Sequence, residues 1–385
     1  MNLTGTPFLI LTIVLFVVCT VLAMAQWGGG GVLFGRVRTA EQRRGPLRAL
    51  RYLTTILLCE LAAVTMVLVL INKENLNYEN WGDLLGSSNH VRAVPVPPKD
   101  SGLAGDRAAA SASPAPKVPQ SFHAPDSDAV PRSVKQADLK GRLSGIDGEV
   151  LVWTPPQYDD PAYKDRTFPV VELLAGYPGA SSTWFGTMEA TKHLEPLMKS
   201  GQVTPFILVS PRVNLLGTID TGCTDTPGKV NAETWLSRDV PQMIVDNFRA
   251  DTTPDRWALA GFSAGAHCAT RLALAHPNRY RAAISMSGYN DPIGESNSLT
   301  AKDSGLRETS NPLYLLAHAP TPPNVALYET GKKGDGLEDA VALQHAAKSP
   351  TTVTPVETTG PHLTATWNPL VVPAFKWLTG VITPR

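Results

Sequence analysis

The chain has 385 residues, which is enough for one large domain with additional segments. Its 34 lysine and arginine residues balance 34 aspartate and glutamate residues, so the formal net charge is +0. This balance excludes the strongly basic composition typical of nucleic-acid-binding proteins, and no nucleic-acid partner is predicted. Hydrophobic residues are concentrated in two apolar runs near the N-terminus and then in a long region of alternating patterns.

Two apolar runs, residues 8–25 and 52–71, are each about long enough to cross a bilayer as a helix. The segment between them, residues 26–51, carries six arginines against one acidic residue, Glu41. By the positive-inside rule this short loop is cytoplasmic. We therefore predict a cell-membrane protein with two transmembrane helices, whose remaining chain lies outside the cytoplasm and whose partners include the lipid bilayer.

The first run has an alternative interpretation as a cleaved signal peptide, because Ala23–Ala25 fits a small-residue cleavage site. The residues before it carry no basic side chain, which favours the transmembrane interpretation. Glu60 lies near the middle of the second run, where a carboxylate is costly. We expect it to be protonated and bonded to a nearby threonine, rather than to contact the other span or a partner protein.

Residues 86–131 are rich in proline, alanine and serine and lack the periodicity of helices or strands. Such a composition cannot bury enough apolar surface to offset the conformational entropy of the chain. The segment is predicted to be a disordered linker, with solvated side chains at His90 and His123.

From residue 135 to 382, short apolar segments alternate with amphipathic ones. This alternation is typical of an α/β domain with a mostly parallel central sheet and helices on both faces. Strands are predicted at 148–153, 168–175, 206–210, 257–260, 282–287, 325–329 and 351–356, and helices at 235–248, 264–275 and 337–347.

The sequence Gly261-Phe262-Ser263-Ala264-Gly265 follows a predicted strand and precedes a predicted helix. A G-x-S-x-G motif in this context is typical of the nucleophile elbow of the α/β-hydrolase fold. The glycines allow a tight turn that exposes the Ser263 hydroxyl at the N-terminus of the following helix. Ser263 is therefore the predicted nucleophile, and a plain helix N-cap serine is the alternative.

A serine nucleophile needs a base, and in this fold the acid and then the histidine follow it along the chain. Five histidines follow Ser263: His267, His276, His318, His345 and His362. The first two belong to the next helix, His318 precedes the strand expected to carry the acid, and His345 lies inside a helix. His362, in a loop after the last predicted strand, is the predicted base.

The acid is expected after the strand at 325–329, in a glycine-rich loop. Asp335 is the predicted acid, orienting the imidazole without taking its proton. Four other carboxylates remain alternatives: Glu329, Glu338, Asp339 and Asp291. The backbone N–H groups of Tyr177, in the loop after an earlier strand, and of Ala264 are the predicted oxyanion donors.

The cysteines show no metal-binding spacing, and no metal or cofactor is predicted. Cys19 and Cys59 lie in the apolar runs as packing residues. Cys223 and Cys268 lie in the predicted catalytic domain, and two cysteines outside the cytoplasm suggest a disulfide.

Four segments together resemble the esterase D-like branch of the α/β-hydrolase superfamily, which includes mycolyltransferases and feruloyl-type esterases. They read FPVVELLAGYPGASSTW, ETWLSRDVPQMI, WALAGFSAGAHCATRLALAHPNRYRAAISMSGY and GPHLTATWNPLVVPAFKWL, in co-linear order over about residues 140–380. The resemblance implies Ser263, His362 and an acid near Asp335 as the triad. Two departures are a proline, Pro361, where the family usually has glycine before the histidine, and an acid loop that does not match cleanly.

These observations predict a membrane-anchored serine esterase that acts on a small-molecule or lipid acyl ester through an acyl-enzyme. One alternative is a mycolyltransferase-like acyltransferase that passes the acyl group to an envelope sugar or lipid hydroxyl. The other is a non-catalytic envelope-binding protein on a hydrolase fold.

Overall fold

The computed structural model of the chain describes residues 3, 5–27, 46–92 and 117–382. They divide into two compact units: the chain up to Asn75 together with Glu79–Trp81, and Leu76–Tyr78 together with the chain from Gly82 onward. Most of the predicted arginine-rich loop, residues 28–45, and the middle of the predicted linker, residues 93–116, lie outside the described residues.

The first unit contains two long helices, α1 (Thr6–Trp27) and α2 (Pro46–Asn75). Both are long and apolar enough to cross a membrane. Polar contacts join them near both ends, from Lys73 Nζ to Thr6 Oγ1 at 3.0 Å and from Gln26 Nε2 to Thr55 Oγ1 at 2.9 Å. Each helix exceeds its predicted bounds, because sequence hydropathy identifies the apolar core of a helix rather than its polar ends.

The expected bond between Glu60 and a threonine is not found. The Glu60 side chain is exposed, and it makes no hydrogen bond with a described residue. The threonine hydroxyls of α2 instead bond to carbonyls of their own helix, from Thr54 to Leu50, from Thr55 to Arg51 and from Thr65 to Leu61.

The second unit is built on an eight-stranded sheet in the order β1-β2-β4-β3-β7-β8-β9-β10. The strands β4, β3 and β7 to β10 run parallel to one another. At one edge β2 pairs antiparallel with β4, and β1 pairs antiparallel with β2. A separate two-stranded ribbon comprises β5 and β6. The strands are β1 (Lys135–Lys140), β2 (Asp147–Trp153), β3 (Val170–Leu174), β4 (Ile207–Pro211), β5 (Asp225–Thr226), β6 (Val230–Asn231), β7 (Trp257–Phe262), β8 (Ala282–Met286), β9 (Ala326–Gly331) and β10 (Thr352–Glu357).

Helices surround the sheet, and two apolar clusters fill the spaces on its two faces. Along β3, Val170 and Leu174 belong to one cluster and Val171 and Leu173 to the other, as the period of a strand requires. The helices are α3 (Trp81–Leu84), α4 (Ala190–Lys199), α5 (Ala232–Thr234), α6 (Val240–Asn247), α7 (Ala264–Ala275), α8 (Leu299–Lys302), α9 (Ser304–Ser310), α10 (Pro312–His318), α11 (Leu337–Ala346), α12 (Thr364–Trp367) and α13 (Val371–Val381); a π-turn, Trp235–Asp239, joins α5 and α6.

The sheet confirms the predicted α/β architecture, and several elements differ from the prediction, including the unpredicted ribbon of β5 and β6. The edge strand β1 is polar in sequence and was not predicted. The ends of the predicted linker also make ordered contacts with the second unit: His90 N–H donates to Leu215 at 3.2 Å, and His123 forms a two-way backbone pair with Gln136 at 2.9 Å. Backbone hydrogen bonds therefore hold both ends of the predicted linker in place, and amino-acid composition does not predict such bonds.

Candidate active site

Ser263 lies at a sharp turn between β7 and α7, with φ 55° and ψ −128°. This strained conformation depends on the two flanking glycines. A Cβ at Gly261 would lie 2.0 Å from the Gly265 carbonyl oxygen, and a Cβ at Gly265 would lie 2.3 Å from the Leu174 carbonyl oxygen. Both clashes are with backbone, so the turn requires glycine at both positions, and the predicted elbow geometry is present.

The structure brings Ser263, His362 and Asp335 together. His362 Nε2 lies 2.8 Å from Ser263 Oγ, and His362 Nδ1 lies 2.8 Å from Asp335 Oδ1. A carboxylate only accepts, so Nδ1–H donates to Asp335 and the free Nε2 accepts from the serine hydroxyl. The Asp335 side chain is 19% exposed and the His362 side chain 45% exposed, so the imidazole is more accessible to solvent than the carboxylate.

Two loops position this pair, one after β9 and one after β10. The Asp335 loop is closed by a reciprocal backbone pair with Lys332, at 3.0 Å and 2.8 Å. The ammonium group of Lys332 then donates to the Gly360 carbonyl at 2.7 Å, which joins the acid loop to the histidine loop. Gly360 has φ 116°, a backbone conformation that glycine adopts readily and other residues rarely adopt. The turn before His362 therefore depends on glycine at this position.

Trp367 packs edge-on against the imidazole of His362, with the ring centroids 4.7 Å apart. Its indole N–H donates to Ser287 Oγ at 3.0 Å, and its ring stacks on Phe262 beside the nucleophile. These contacts hold the imidazole of His362 against the turn that carries Ser263. The sequence analysis missed Trp367 and Lys332; a tryptophan five residues after the histidine was the available signal for the first.

The other four candidate acids are engaged elsewhere, so Asp335 is the one of the five that contacts the imidazole. Burial raises the pKa of Glu329 to about 7, and Thr270 donates to its carboxyl group at 2.8 Å. The other three carboxylates also have partners: Asp339 accepts from Asn290 N–H, Glu338 accepts from Gly334 N–H, and Asp291 pairs with the Arg307 guanidinium.

The backbone amides of Tyr177 and Ala264 belong to the two segments that meet at Ser263. A Cβ at Gly176, the residue before Tyr177, would lie 3.0 Å from Ser263 Cβ, so this loop packs closely against the serine. Ala264 is the first residue of α7. Within the described part of the chain neither N–H donates a hydrogen bond, so both are available to an oxyanion.

The predicted disulfide between Cys223 and Cys268 is confirmed, and both cysteines are buried. It attaches the loop before β5 to the nucleophile helix α7. Arg271, on the same helix, donates to the Cys223 carbonyl at 3.0 Å and pairs with Glu233. Burial would raise the pKa of Glu233, but the charges of Arg271 and His276 hold that pKa at about 2.

Residues 3, 5–27, 46–92 and 117–382 contain no group of three or more histidine, cysteine or acidic side chains arranged to hold a metal ion.

A model of the esterase family, described as "Putative esterase", matches residues 145–369. An uncharacterised protein of Corynebacterium glutamicum is 29% identical over 153 residues, covering 39% of this chain and 34% of the relative. S-formylglutathione hydrolase of Bos taurus is 27% identical over 115 residues, covering 28% of this chain and 40% of the relative. Each match thus spans less than half of the relative's length.

Solved structures share the fold. A ferulic acid esterase has a TM-score of 0.54 at 19% identity, covering 64% of this chain and 98% of its own. Fluorophosphonate-binding serine hydrolase F of Staphylococcus aureus has a TM-score of 0.53 at 16% identity, covering 65% and 98%. S-formylglutathione hydrolase of Agrobacterium tumefaciens has 0.52 at 16% identity, covering 68% and 98%. These likenesses confirm the predicted α/β-hydrolase fold.

Proposed function

Because the chain belongs to the esterase family and is a serine hydrolase, we propose that it cleaves carboxylic esters through an acyl-enzyme on Ser263. The observation that carries this proposal is the continuous hydrogen-bonded chain from Ser263 Oγ through the His362 imidazole to Asp335, with 2.8 Å at each step. A serine hydroxyl, a free imidazole nitrogen and a carboxylate in this order can perform nucleophilic catalysis.

In the first half-reaction, Ser263 Oγ attacks the ester carbonyl while His362 Nε2 takes its proton. The carbonyl oxygen becomes an oxyanion, which the N–H groups of Tyr177 and Ala264 stabilise. Asp335 stabilises the imidazolium through Nδ1–H and keeps its own charge. Collapse of the intermediate breaks the ester bond, and the alcohol leaves with the proton from Nε2.

In the second half-reaction, His362 takes a proton from water, whose oxygen attacks the acyl-enzyme. The same two amides stabilise the second oxyanion. The acid leaves, and Ser263 recovers its proton from the imidazole. Every proton transfer in the two half-reactions passes through His362 Nε2. The 2.8 Å distance from this nitrogen to Ser263 Oγ is therefore the main support for the proposal.

We also propose that the catalytic unit lies outside the cytoplasm, tethered by α1 and α2. The arginine-rich segment between the two helices favours the cytoplasmic side. The disulfide between Cys223 and Cys268 supports an oxidising compartment for the unit that follows α2. Proteolysis of intact cells that produce the protein, with the plasma membrane accessible to protease, tests this placement: the catalytic unit should be digested from outside, and protection until lysis would contradict it.

Ser263→Ala tests the mechanism, with Ser304→Ala, an exposed serine on α9, as the matched control. We expect Ser263→Ala to lower kcat for a nitrophenyl acetate by about 10⁶-fold, to the background rate, because the covalent step is lost. A fluorophosphonate probe should label the wild type and Ser304→Ala but not Ser263→Ala. A label at another residue, or full activity of folded Ser263→Ala, would contradict the proposal.

A further inference from the structure

The second unit exposes large apolar side chains at the end of its sheet that carries Ser263. Ile219 follows β4, Ile293 follows β8 and Leu363 follows β10. These strands run parallel to β7, so their loops leave the sheet at the same edge as Ser263. In the described part of this unit the exposed large apolar side chains, which are 37% to 73% exposed, are Leu85, Ile219, Ile293 and Leu363. Exposed apolar side chains scattered singly are ordinary, whereas a group at one end of a domain indicates a contact surface.

Leu85 and Ile219 lie on two segments whose backbones are in contact. A Cβ at Gly217 would lie 2.6 Å from the Gly86 carbonyl oxygen, so the chain beside Leu85 packs against the chain that leads to Ile219. The Tyr177 hydroxyl lies 3.5 Å from the Gly217 carbonyl oxygen. Because the amide of Tyr177 is a proposed oxyanion donor, both segments adjoin the oxyanion loop.

Ile293 and Leu363 lie on the two other loops of this surface. Leu299 N–H donates to the Asp220 carbonyl at 2.9 Å, which joins the segment after β8 to the loop after β4. Leu363 directly follows His362, the proposed base. We call the four exposed side chains the apolar rim: Leu85, Ile219, Ile293 and Leu363.

The second unit begins where the second apolar helix ends. The last residue of α2 is Asn75, and the next residue, Leu76, is 1% exposed within the second unit. The Leu76 carbonyl accepts from Ala180 N–H at 3.2 Å and from Thr183 Oγ1 at 3.1 Å. Both donors belong to the segment after β3 that also carries Tyr177. The chain that leaves α2 is therefore bonded directly to the oxyanion loop.

This connection limits how far the oxyanion loop can lie from a bilayer that α2 crosses. The apolar run ends at Ile71, and the five steps from there to Leu76 span about 8 Å of helix. That length is comparable with the headgroup layer on one side of a bilayer. Apolar side chains at this depth gain free energy by entering the interface. The bilayer is thus the partner that the chain itself brings to the apolar rim.

We propose that the apolar rim rests in the bilayer surface, so that the protein takes its substrate from the membrane and prefers a bilayer-resident acyl ester to a dissolved one. This inference rests on the proposed esterase function and on the proposed anchoring by α1 and α2, and it names the substrate class. A lipid whose ester carbonyl lies at headgroup depth then reaches Ser263 without leaving the membrane.

A site-specific fluorophore measures the contact on the full chain in phosphatidylcholine vesicles. In a Cys19→Ala/Cys59→Ala background, a dye is attached to Ile293→Cys or to the matched control Ala162→Cys. Ala162 is exposed and precedes β3, at the end of the sheet opposite Ser263. We expect a lipid with a nitroxide on its headgroup to quench the dye at Ile293→Cys about threefold more than at the control. Equal quenching in the two folded proteins, or stronger quenching at the control, would overturn the inference.

Two pairs of esters test the substrate class in the same vesicles. Hexadecyl acetate partitions into the bilayer and butyl acetate dissolves in water, so this pair differs in the length of the alcohol. Ethyl palmitate and ethyl butyrate differ in the same way at the acyl side. We expect the wild type to cleave the bilayer-resident ester faster than its dissolved partner in at least one pair. Cleavage of the dissolved esters alone would overturn the inference.

Ile219→Ser/Ile293→Ser tests whether the apolar rim causes the preference, with Ala162→Ser as the control. We expect the double variant to lower the rate for the preferred bilayer-resident ester by about tenfold and that for its dissolved partner much less. The control should keep the wild-type rates for both. Both replaced isoleucines are exposed, so the variant should fold, and circular dichroism checks this. An unchanged preference in the folded double variant would overturn the inference.

Failure of the esterase function has a different signature. If no ester is cleaved and a fluorophosphonate probe does not label Ser263, the proposed function fails and the substrate class fails with it. Labelling of Ser263 with cleavage of dissolved esters alone contradicts only the membrane preference. Because lipid quenching does not depend on catalysis, it separates loss of the bilayer contact from loss of the reaction.

Discussion

Replacing Glu329 by glutamine should make the protein more stable at alkaline pH. The Glu329 carboxyl group is buried on β9, and burial raises its pKa from an ordinary 4.5 to about 7. The folded state therefore binds this proton more tightly than the unfolded chain. The resulting stability is fully present below pH 4.5 and is lost as the pH rises through about 7. A difference of about 2.5 pKa units corresponds to about 3 kcal/mol.

Glu329→Gln keeps the shape of the side chain and cannot ionise. We expect its unfolding free energy to match that of the wild type at about pH 4 and to exceed it by about 3 kcal/mol at about pH 8.5. Urea unfolding followed by tryptophan fluorescence at several pH values measures this difference. A difference that stays constant across that range would refute the ionisation argument.

The same variant separates Glu329 from the catalytic acid. Its carboxyl group bonds to Thr270 rather than to His362, so folded Glu329→Gln should hydrolyse a nitrophenyl ester at the wild-type rate. Loss of hydrolysis in a folded variant would instead place Glu329 in the reaction.

Asp335→Asn should lower kcat by about 10⁴-fold because asparagine no longer fixes the imidazole tautomer. Glu338→Gln, three residues further on in the first turn of α11, should keep its activity, and equal effects of the two would contradict the assignment. Glu233→Gln should unfold more easily than the wild type by about 3 kcal/mol above pH 4.5, with the gap closing as the pH falls toward 2, because the folded protein holds this pKa at about 2; a gap that widens in acid would contradict this. Replacing Cys223 and Cys268 together by alanine should lower the free energy of unfolding in urea by about 4 kcal/mol, because the disulfide closes a 45-residue loop. An unchanged free energy of unfolding would show that the disulfide does not stabilise this loop.

The turn that carries Ser263, the proposed nucleophile, was predictable because its geometry is local. The end of β7, the motif Gly261–Gly265 and the start of α7 are adjacent in the sequence, and a Cβ at Gly261 or Gly265 would clash within this turn or with the end of β3. His362, the proposed base, was selected by its position after the last strand. Strand β1 escaped prediction because four of its six residues are polar, and only Ala137 and Leu139 place apolar side chains in the core beside its backbone pairing with β2.

The side chains that support the proposed triad were less predictable because long-range contacts determine them. Trp367 reaches His362 only after α12 folds back over the elbow, and Lys332 bonds to Gly360 across two loops. The one signal that the sequence offered was a tryptophan five residues after His362. Side chains brought in by tertiary structure therefore explain most of what the sequence analysis missed.

The position of Asp335, the proposed acid, shows what the local sequence pattern can predict and what only tertiary contacts determine. β9 and β10 pair in parallel with Gly331 opposite Glu357, so the loops that follow them leave the sheet at the same edge. That pairing limits the acid to the few residues after β9, which the sequence indicated. The choice among them depends on the turn closed between Lys332 and Asp335, which directs one carboxylate toward His362 while Glu338 bonds back to the loop backbone. Because Lys332 also bonds to Gly360, the contact of Asp335, the proposed acid, with His362 depends partly on the histidine loop itself.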